Sequence, residues 1–119
     1  RVHCVNAGHL PVVVRRARNG CIDEFESDAL PLGIDPTERF PTVAFELEPG
    51  DVVAVVTDGL HETADQTGRQ LGWDAVRRTI ADAVPSDRPL AAIERSLVDR
   101  ARQHGPQTDD RSVLIARYG

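Results

Sequence analysis

The chain has 119 residues, the length of one domain, and 40% of them are hydrophobic, which is enough to form a core. The net charge is −5 and every cation is an arginine, scattered rather than clustered, so the sequence gives no support to nucleic-acid binding. No apolar segment is long enough to cross a membrane, and two cysteines are too few for a disulfide framework. We therefore expect a soluble protein of the reducing cytoplasm.

The first predicted elements are β-strands. Residues 1–4 predict a strand, and a turn at residues 6–9 leads into the β-branched residues of a second strand at 12–16. The pair Asn19-Gly20 then predicts a hairpin into a third strand at residues 21–26.

Two more strands follow an apolar-rich loop at residues 30–36. Val43, Phe45 and Leu47 occupy every second position, which predicts a half-buried strand. A turn at residues 49–51 connects it to residues 52–56, which are apolar on both faces and predict a central strand. Together these strands predict an antiparallel meander.

The second half of the chain changes to a helical period. Trp73, Val76, Ile80 and Val84 recur at helical spacing, and residues 85–87 can cap a second helix. The second helix has its apolar face at Leu90, Ile93, Leu97, Val98 and Ala101, and Gly105-Pro106 ends it. Residues 112–118 predict a final strand, and we expect its residues 113–116 to be buried on both faces. The fold class is therefore α+β, in layers.

Two acidic segments stand at the ends of predicted core strands. Asp58 follows the central strand in DVVAVVTDGLHET, residues 51–63, where Asp-Gly would ordinarily predict a hairpin turn. The polar, turn-rich residues 61–68 offer no partner strand for such a hairpin. Asp109 and Asp110 directly precede the final strand in TDDRSVLIARY, residues 108–118. A solvent-exposed junction between a loop and this strand would also explain the two acidic residues. If both segments meet at one sheet edge, their carboxylates suit Mg²⁺ or Mn²⁺.

Other chemistries fit the residues less well. A receiver-type phosphoacceptor domain needs a lysine, which the chain lacks, and an aspartyl phosphohydrolase needs a second aspartate where Leu60 stands. His3, Cys4, His9 and Cys21 do not follow the spacing of a zinc site. Neither a Gly-rich phosphate loop nor a nucleophile elbow is present in the sequence.

The motifs occur in an order that resembles a known family. VNAGHLPVVVRR, LPLGI, LEPGDVVAVVTDGLHET, GW and TDDRSVLIARY follow one another along the chain. This order resembles the C-terminal half of a bacterial PPM-type (metal-dependent) serine/threonine protein phosphatase of the sporulation stage II protein E-like class. The resemblance covers nearly the whole chain. It implies part of a β-sandwich flanked by helices, with a two-metal Mn²⁺ or Mg²⁺ centre between the sheets.

The resemblance also assigns roles to residues. Asp58 matches a metal-ligating aspartate and Asp109 matches the last metal ligand, whereas Asp110 is an adjacent residue and not a primary ligand. The attacking group in the family is a metal-bound water, so no side-chain nucleophile is expected. Four further residues are expected at positions adjacent to the site or supporting it: Asn6, His9, Gly59 and Glu62. Of these, His9 is more typical of a turn than of a catalytic base, and Glu62 is equally compatible with an ordinary loop residue.

The family's other metal-binding segment lies upstream of the motifs present here. The resemblance therefore implies that residues 1–119 are the C-terminal portion of one phosphatase domain, inactive alone and self-associating through its uncovered sheet. For the intact protein it implies dephosphorylation of a protein, an anti-sigma-factor antagonist in bacterial signalling. The alternative is a catalytically silent, phosphatase-like module that binds a regulatory protein partner. Neither nucleic acid nor membrane is an expected partner.

Overall fold

The computed structural model describes residues 1–83 and 88–119, which form six strands and three helices. Val84 and the predicted capping stretch at residues 85–87 lie outside the described residues. The strands are β1 (Val2–Val5), β2 (Val12–Arg15), β3 (Ile22–Phe25), β4 (Thr42–Phe45), β5 (Val52–Val56) and β6 (Val113–Arg117). The helices are α1 (Asp58–His61), α2 (Trp73–Ala81) and α3 (Leu90–His104). The predicted α+β class is confirmed.

The strands form two antiparallel sheets. One contains β1 and β4, and the other has the order β3-β2-β5-β6. The Asn19-Gly20 hairpin is confirmed, with Gly20 at φ 71° and its N–H donating to the carbonyl oxygen of Arg16 at 2.8 Å. The predicted meander is wrong beyond this hairpin, because β4 pairs with β1 and not with β5. Alternation of apolar residues sets which face of a strand is buried, but it does not select the neighbouring strand.

Strand β5 is one of the two central strands of the four-stranded sheet, as predicted. Val52, Ala54 and Val56 are buried on the face that the helices cover. The core on that side is completed by residues of α1, α2 and α3, namely Leu60, Val76, Ile80, Ile93, Leu97 and Ala101. Both amphipathic helices are thereby confirmed, and they form a layer on one side of this sheet.

Strand β6 differs from its prediction. It lies at the edge of the four-stranded sheet, and its residues alternate between half-buried and exposed rather than being buried on both faces. Leu114 points away from the helices and is 61% exposed. The sheet face opposite the helices is thus partly open among the described residues.

The short helix α1 is absent from the sequence prediction. It begins directly after β5, and the chain then turns back at residues 64–70. The end of α3 packs closely against this turn, since a Cβ on Gly105 would overlap the carbonyl oxygen of Ala64. Gly105 is the C-cap of α3, as predicted, and its backbone is extended. Its lack of a side chain allows the close contact with Ala64.

No helix among the described residues combines the length and the apolar character needed to cross a membrane.

Candidate metal centre

A cleft of about 280 Å³ lies where β5 ends and β6 begins. Its walls come from three parts of the chain: the turn that precedes β2, the residues after β5 and the residues before β6. The residues that line the cleft are Gly8, His9, Thr57, Asp58, Gly59, Asp109, Asp110 and Ser112. Asp58 and Asp109, which the sequence places far apart, therefore line one cleft.

The antiparallel pairing of β5 with β6 brings the two acidic segments together. The last paired residues are Val56 and Val113, and the contact continues beyond them. The N–H of Thr57 donates to the carbonyl oxygen of Ser112 at 3.1 Å, and the Ser112 N–H donates to Thr57 Oγ1 at 2.9 Å. Two neighbouring strands that run in opposite directions place the end of one beside the start of the other. The predicted meeting of the acidic segments follows from this register.

Gly59 allows these segments to approach. A Cβ at this position would overlap the carbonyl oxygen of Asp110 and would lie 3.3 Å from that of Asp109. The glycine is buried inside α1 and does not have a positive φ. Its importance therefore comes from close packing and not from an unusual backbone conformation.

Arg111 and Thr63 hold the Gly59 carbonyl oxygen. Arg111 Nε donates to that oxygen at 3.0 Å, and Arg111 Nη2 donates to Thr63 Oγ1 at 2.9 Å. The Thr63 hydroxyl itself donates to the Gly59 oxygen at 2.9 Å, and Thr63 is only 2% exposed. Neither residue could be identified as part of the site from the sequence, where the only signal is a cation directly after an acidic pair.

Asn6 shapes the turn on the far wall of the cleft rather than lining it. Its side chain is buried, donates to the carbonyl oxygens of His9 and Leu10, and accepts the His9 N–H at 2.8 Å. The exposed His9 does line the cleft. Gly8 in the same turn has φ 73°, and a Cβ there would lie 2.6 Å from Pro31 Cγ, so the 30–34 loop packs against this wall. The predicted turn is confirmed.

Glu62 is not brought to the cleft. It is exposed at the C-terminal end of α1, where its N–H donates to the Asp58 carbonyl oxygen at 3.0 Å. Glu62 is not among the residues that line the cleft.

The acidic side chains of the cleft are the right type of ligand for a hard divalent cation, but they are too few to form a complete site. Asp58, Asp109 and Asp110 are all exposed to solvent, and Asp109 Oδ1 accepts the Asp110 N–H at 2.7 Å. Mg²⁺ and Mn²⁺ favour such carboxylate oxygens. Within the described residues, no three acidic, histidine or cysteine side chains are arranged to hold a metal ion. The cleft thus offers part of a donor set.

Solved structures of several bacterial proteins have a similar fold. The PP2C phosphatase domain of SpoIIE from Bacillus subtilis, determined with a fragment of its regulatory domain, matches with a TM-score of 0.76 at 19% identity over 98% of this chain and 33% of that chain. A Mn-presoaked form of the phosphatase domain matches at 0.67 and 20% identity, over 97% of this chain and 49% of that chain. The RsbU and RsbW domains of Rv1364c from Mycobacterium tuberculosis match with a TM-score of 0.71 at 27% identity, over 95% of this chain and 31% of that chain.

No curated protein sequence gives a significant match. The chain spans between 31% and 49% of the length of these three solved chains.

The fold is that of a PP2C (PPM-type) phosphatase domain, of which the chain contains one part. The chain belongs to the stage II sporulation protein E (SpoIIE) family, whose model matches residues 1–119. The family resemblance found in the sequence is confirmed.

Proposed function

We propose that the intact protein containing this chain is a metal-dependent serine/threonine protein phosphatase. The observation that carries this proposal is the convergence of Asp58 and Asp109 on one cleft, in a chain of the SpoIIE family. In the proposal both carboxylates bind Mn²⁺ or Mg²⁺, and Asp110 is a neighbour that is not a primary ligand. The Mn-presoaked crystal of the Bacillus subtilis domain supports the choice of manganese.

The chain's own part in the reaction is to present two exposed carboxylates in one cleft. A divalent ion bound there would supply an activated water and offset negative charge on the phosphoryl group. No side chain of the cleft then has to act as a nucleophile. His9 lines the same cleft from the turn that precedes β2.

Two carboxylates leave a divalent ion mostly hydrated, because such ions require six or more oxygen ligands. In the proposal, the remaining protein ligands come from the family's upstream metal-binding segment, which is not among the motifs of residues 1–119. We accordingly propose that the chain alone binds Mn²⁺ weakly and has no phosphatase activity.

The proposed substrate is a phosphoserine or phosphothreonine of an anti-sigma-factor antagonist, in the bacterial cytoplasm. Support comes from the family and from Rv1364c, whose solved structure contains RsbU and RsbW domains. The rival is a silent, phosphatase-like module that binds a regulatory protein. The presence of both Asp58 and Asp109 favours the enzyme.

Substitution of the two aspartates tests this function. Asp58→Asn or Asp109→Asn in the intact protein removes a charged oxygen ligand, so Mn²⁺-dependent hydrolysis of an aryl phosphate should fall by orders of magnitude. Asp99→Asn is the matched control, because Asp99 is an exposed aspartate on α3 that does not line the cleft. The 119-residue chain should be inactive in the same assay.

Near-normal rates of both cleft variants at saturating Mn²⁺ would show that the metal assignment is wrong. An intact wild-type protein without any Mn²⁺-dependent hydrolysis would favour the silent module.

A further inference from the structure

The position of Asp58 depends on contacts outside its own helix. Helix α1 has only four residues, and Thr57 at its N-cap makes no side-chain capping hydrogen bond. A helix of this length has no stability of its own in water. Asp58 is exposed in the first turn of α1, so the backbone of α1 must be fixed by neighbouring residues if this carboxylate is to stay in place.

The Gly59 carbonyl oxygen, one residue from Asp58, is such a fixed point. It accepts two hydrogen bonds, from Arg111 Nε at 3.0 Å and from the Thr63 hydroxyl at 2.9 Å. Arg111 Nη2 also donates to the Thr63 hydroxyl at 2.9 Å, which closes a ring of three hydrogen bonds. The guanidinium can make both of its bonds at once because its donors form a rigid planar fork.

These hydrogen bonds join the two acidic segments of the cleft. Arg111 is two residues from Asp109, and Gly59 is adjacent to Asp58, so the Arg111–Gly59 bond limits how far the two carboxylates can separate. The contact spans 52 positions of the sequence.

The charge of Arg111 is not used to neutralise these carboxylates. None of the ion pairs among the described residues includes Arg111. Its guanidinium binds neutral oxygens instead, so it does not compete with a cation for the carboxylates of Asp58 and Asp109.

We propose that Arg111 and Thr63 are positioning residues for the metal centre, which fix the spacing of Asp58 and Asp109 through the Gly59 carbonyl oxygen. This inference rests on the proposed function, because it takes both aspartates as metal ligands. Residues that orient metal ligands without touching the ion have measurable effects on metal affinity.

Calorimetric titration of the intact protein with Mn²⁺ alone tests the inference without reference to activity. Thr63→Val keeps the shape of the side chain but loses the hydroxyl, and it should weaken Mn²⁺ binding about tenfold. Thr63→Ser keeps the hydroxyl and is the matched control, which should bind Mn²⁺ within about twofold of the wild type.

Arg111 provides a second comparison if Thr63→Val does not fold. Arg111→Gln should weaken Mn²⁺ binding about tenfold, and Arg111→Lys should fall between it and the wild type, because an ammonium cannot reproduce the fork. Arg95→Gln removes the charge of an exposed arginine on α3 and should leave the Mn²⁺ affinity unchanged. Circular dichroism identifies the variants that have folded.

The outcomes separate the inference from the proposed function. Equal Mn²⁺ affinities of Thr63→Val and Thr63→Ser, or of Arg111→Gln and Arg95→Gln, would overturn the positioning role even in an active phosphatase. Affinities in the expected order, without phosphatase activity, would support the positioning role and overturn the enzyme proposal. A wild-type protein that does not bind Mn²⁺ would overturn both.

Discussion

At the scale of single residues, the cleft depends on a glycine whose neighbours the sequence does not reveal. The meeting of Asp58 and Asp109 in one cleft was predictable, because each carboxylate lies at one end of an apolar strand. The roles of Thr63 and Arg111 were not predictable, since their shared hydrogen bond joins positions 48 residues apart. A hydroxyl and a guanidinium are common on any surface, and only the folded chain brings them to one carbonyl oxygen.

For Gly59→Ala, helix propensity and packing predict changes of opposite sign in the free energy of unfolding. Alanine in a helix is favoured over glycine by about 1 kcal/mol, so propensity alone predicts a gain in the free energy of unfolding. A Cβ at this position would overlap the Asp110 carbonyl oxygen, and overpacking of this kind costs about 1–3 kcal/mol. We expect a net loss, measured by urea unfolding. A stabilised Gly59→Ala variant would show that the two segments are not in close contact.

At the scale of elements, the sequence located the strands and helices better than it paired them. Helices α2 and α3 were predicted because Val76, Ile80, Ile93 and Leu97 repeat with a helical period and are all buried. The pairing of β4 with β1 was missed, because the partner of a strand is selected by long-range packing. Helix α1 was missed because four residues carry no periodic signal and are held by contacts with other elements.

Asp51 connects several of these elements in front of β5. Its side chain is fully buried, forms an ion pair with Arg16 at 2.8 Å, and accepts the backbone N–H groups of Ala17 and Glu48. Burial raises the pKa of this carboxyl, but the hydrogen bonds from Ala17 and Glu48 and the Arg16 guanidinium together outweigh burial, so the pKa is lowered. The β2–β3 hairpin and the turn between β4 and β5 are thereby attached to the start of the central strand.

The lowered pKa of Asp51 sets the sign of a pH dependence. A carboxyl whose pKa is lower in the folded state stabilises the fold above its unfolded pKa, about 3.9, and this contribution is lost as the pH falls through the folded value. Asp51→Asn should therefore lose about 3 kcal/mol at pH 7, as expected for a broken buried ion pair, and less near pH 2. Urea unfolding followed by Trp73 fluorescence measures both values, with exposed Asp99→Asn as the control. A loss of equal size at both pH values would contradict the role of the charge.

At the scale of the whole molecule, the chain contains one part of a phosphatase fold and leaves apolar surface uncovered. The helices cover one face of the four-stranded sheet, and on the other face Leu114 is 61% exposed. Strand β6 has no neighbour on its outer side among the described strands. A second exposed apolar group lies in the 30–34 loop beside the cleft, where Leu32 is 75% exposed. Uncovered apolar faces and free strand edges both promote association.

We therefore predict that the 119-residue chain forms a homodimer or a larger assembly through the open face and edge of β6. Light scattering at about 10–50 µM measures the assembly, since this range exceeds the dissociation constants of most specific dimers. Leu114→Glu places a charge on the exposed face without removing a buried group, so it should shift the chain toward the monomer while circular dichroism stays unchanged. Arg95→Gln on the solvent side of α3 serves as the control and should associate like the wild type. A wild-type monomer that binds no hydrophobic dye would show that this face needs no partner. Association that Leu114→Glu leaves intact would contradict a contact through the open face of β6.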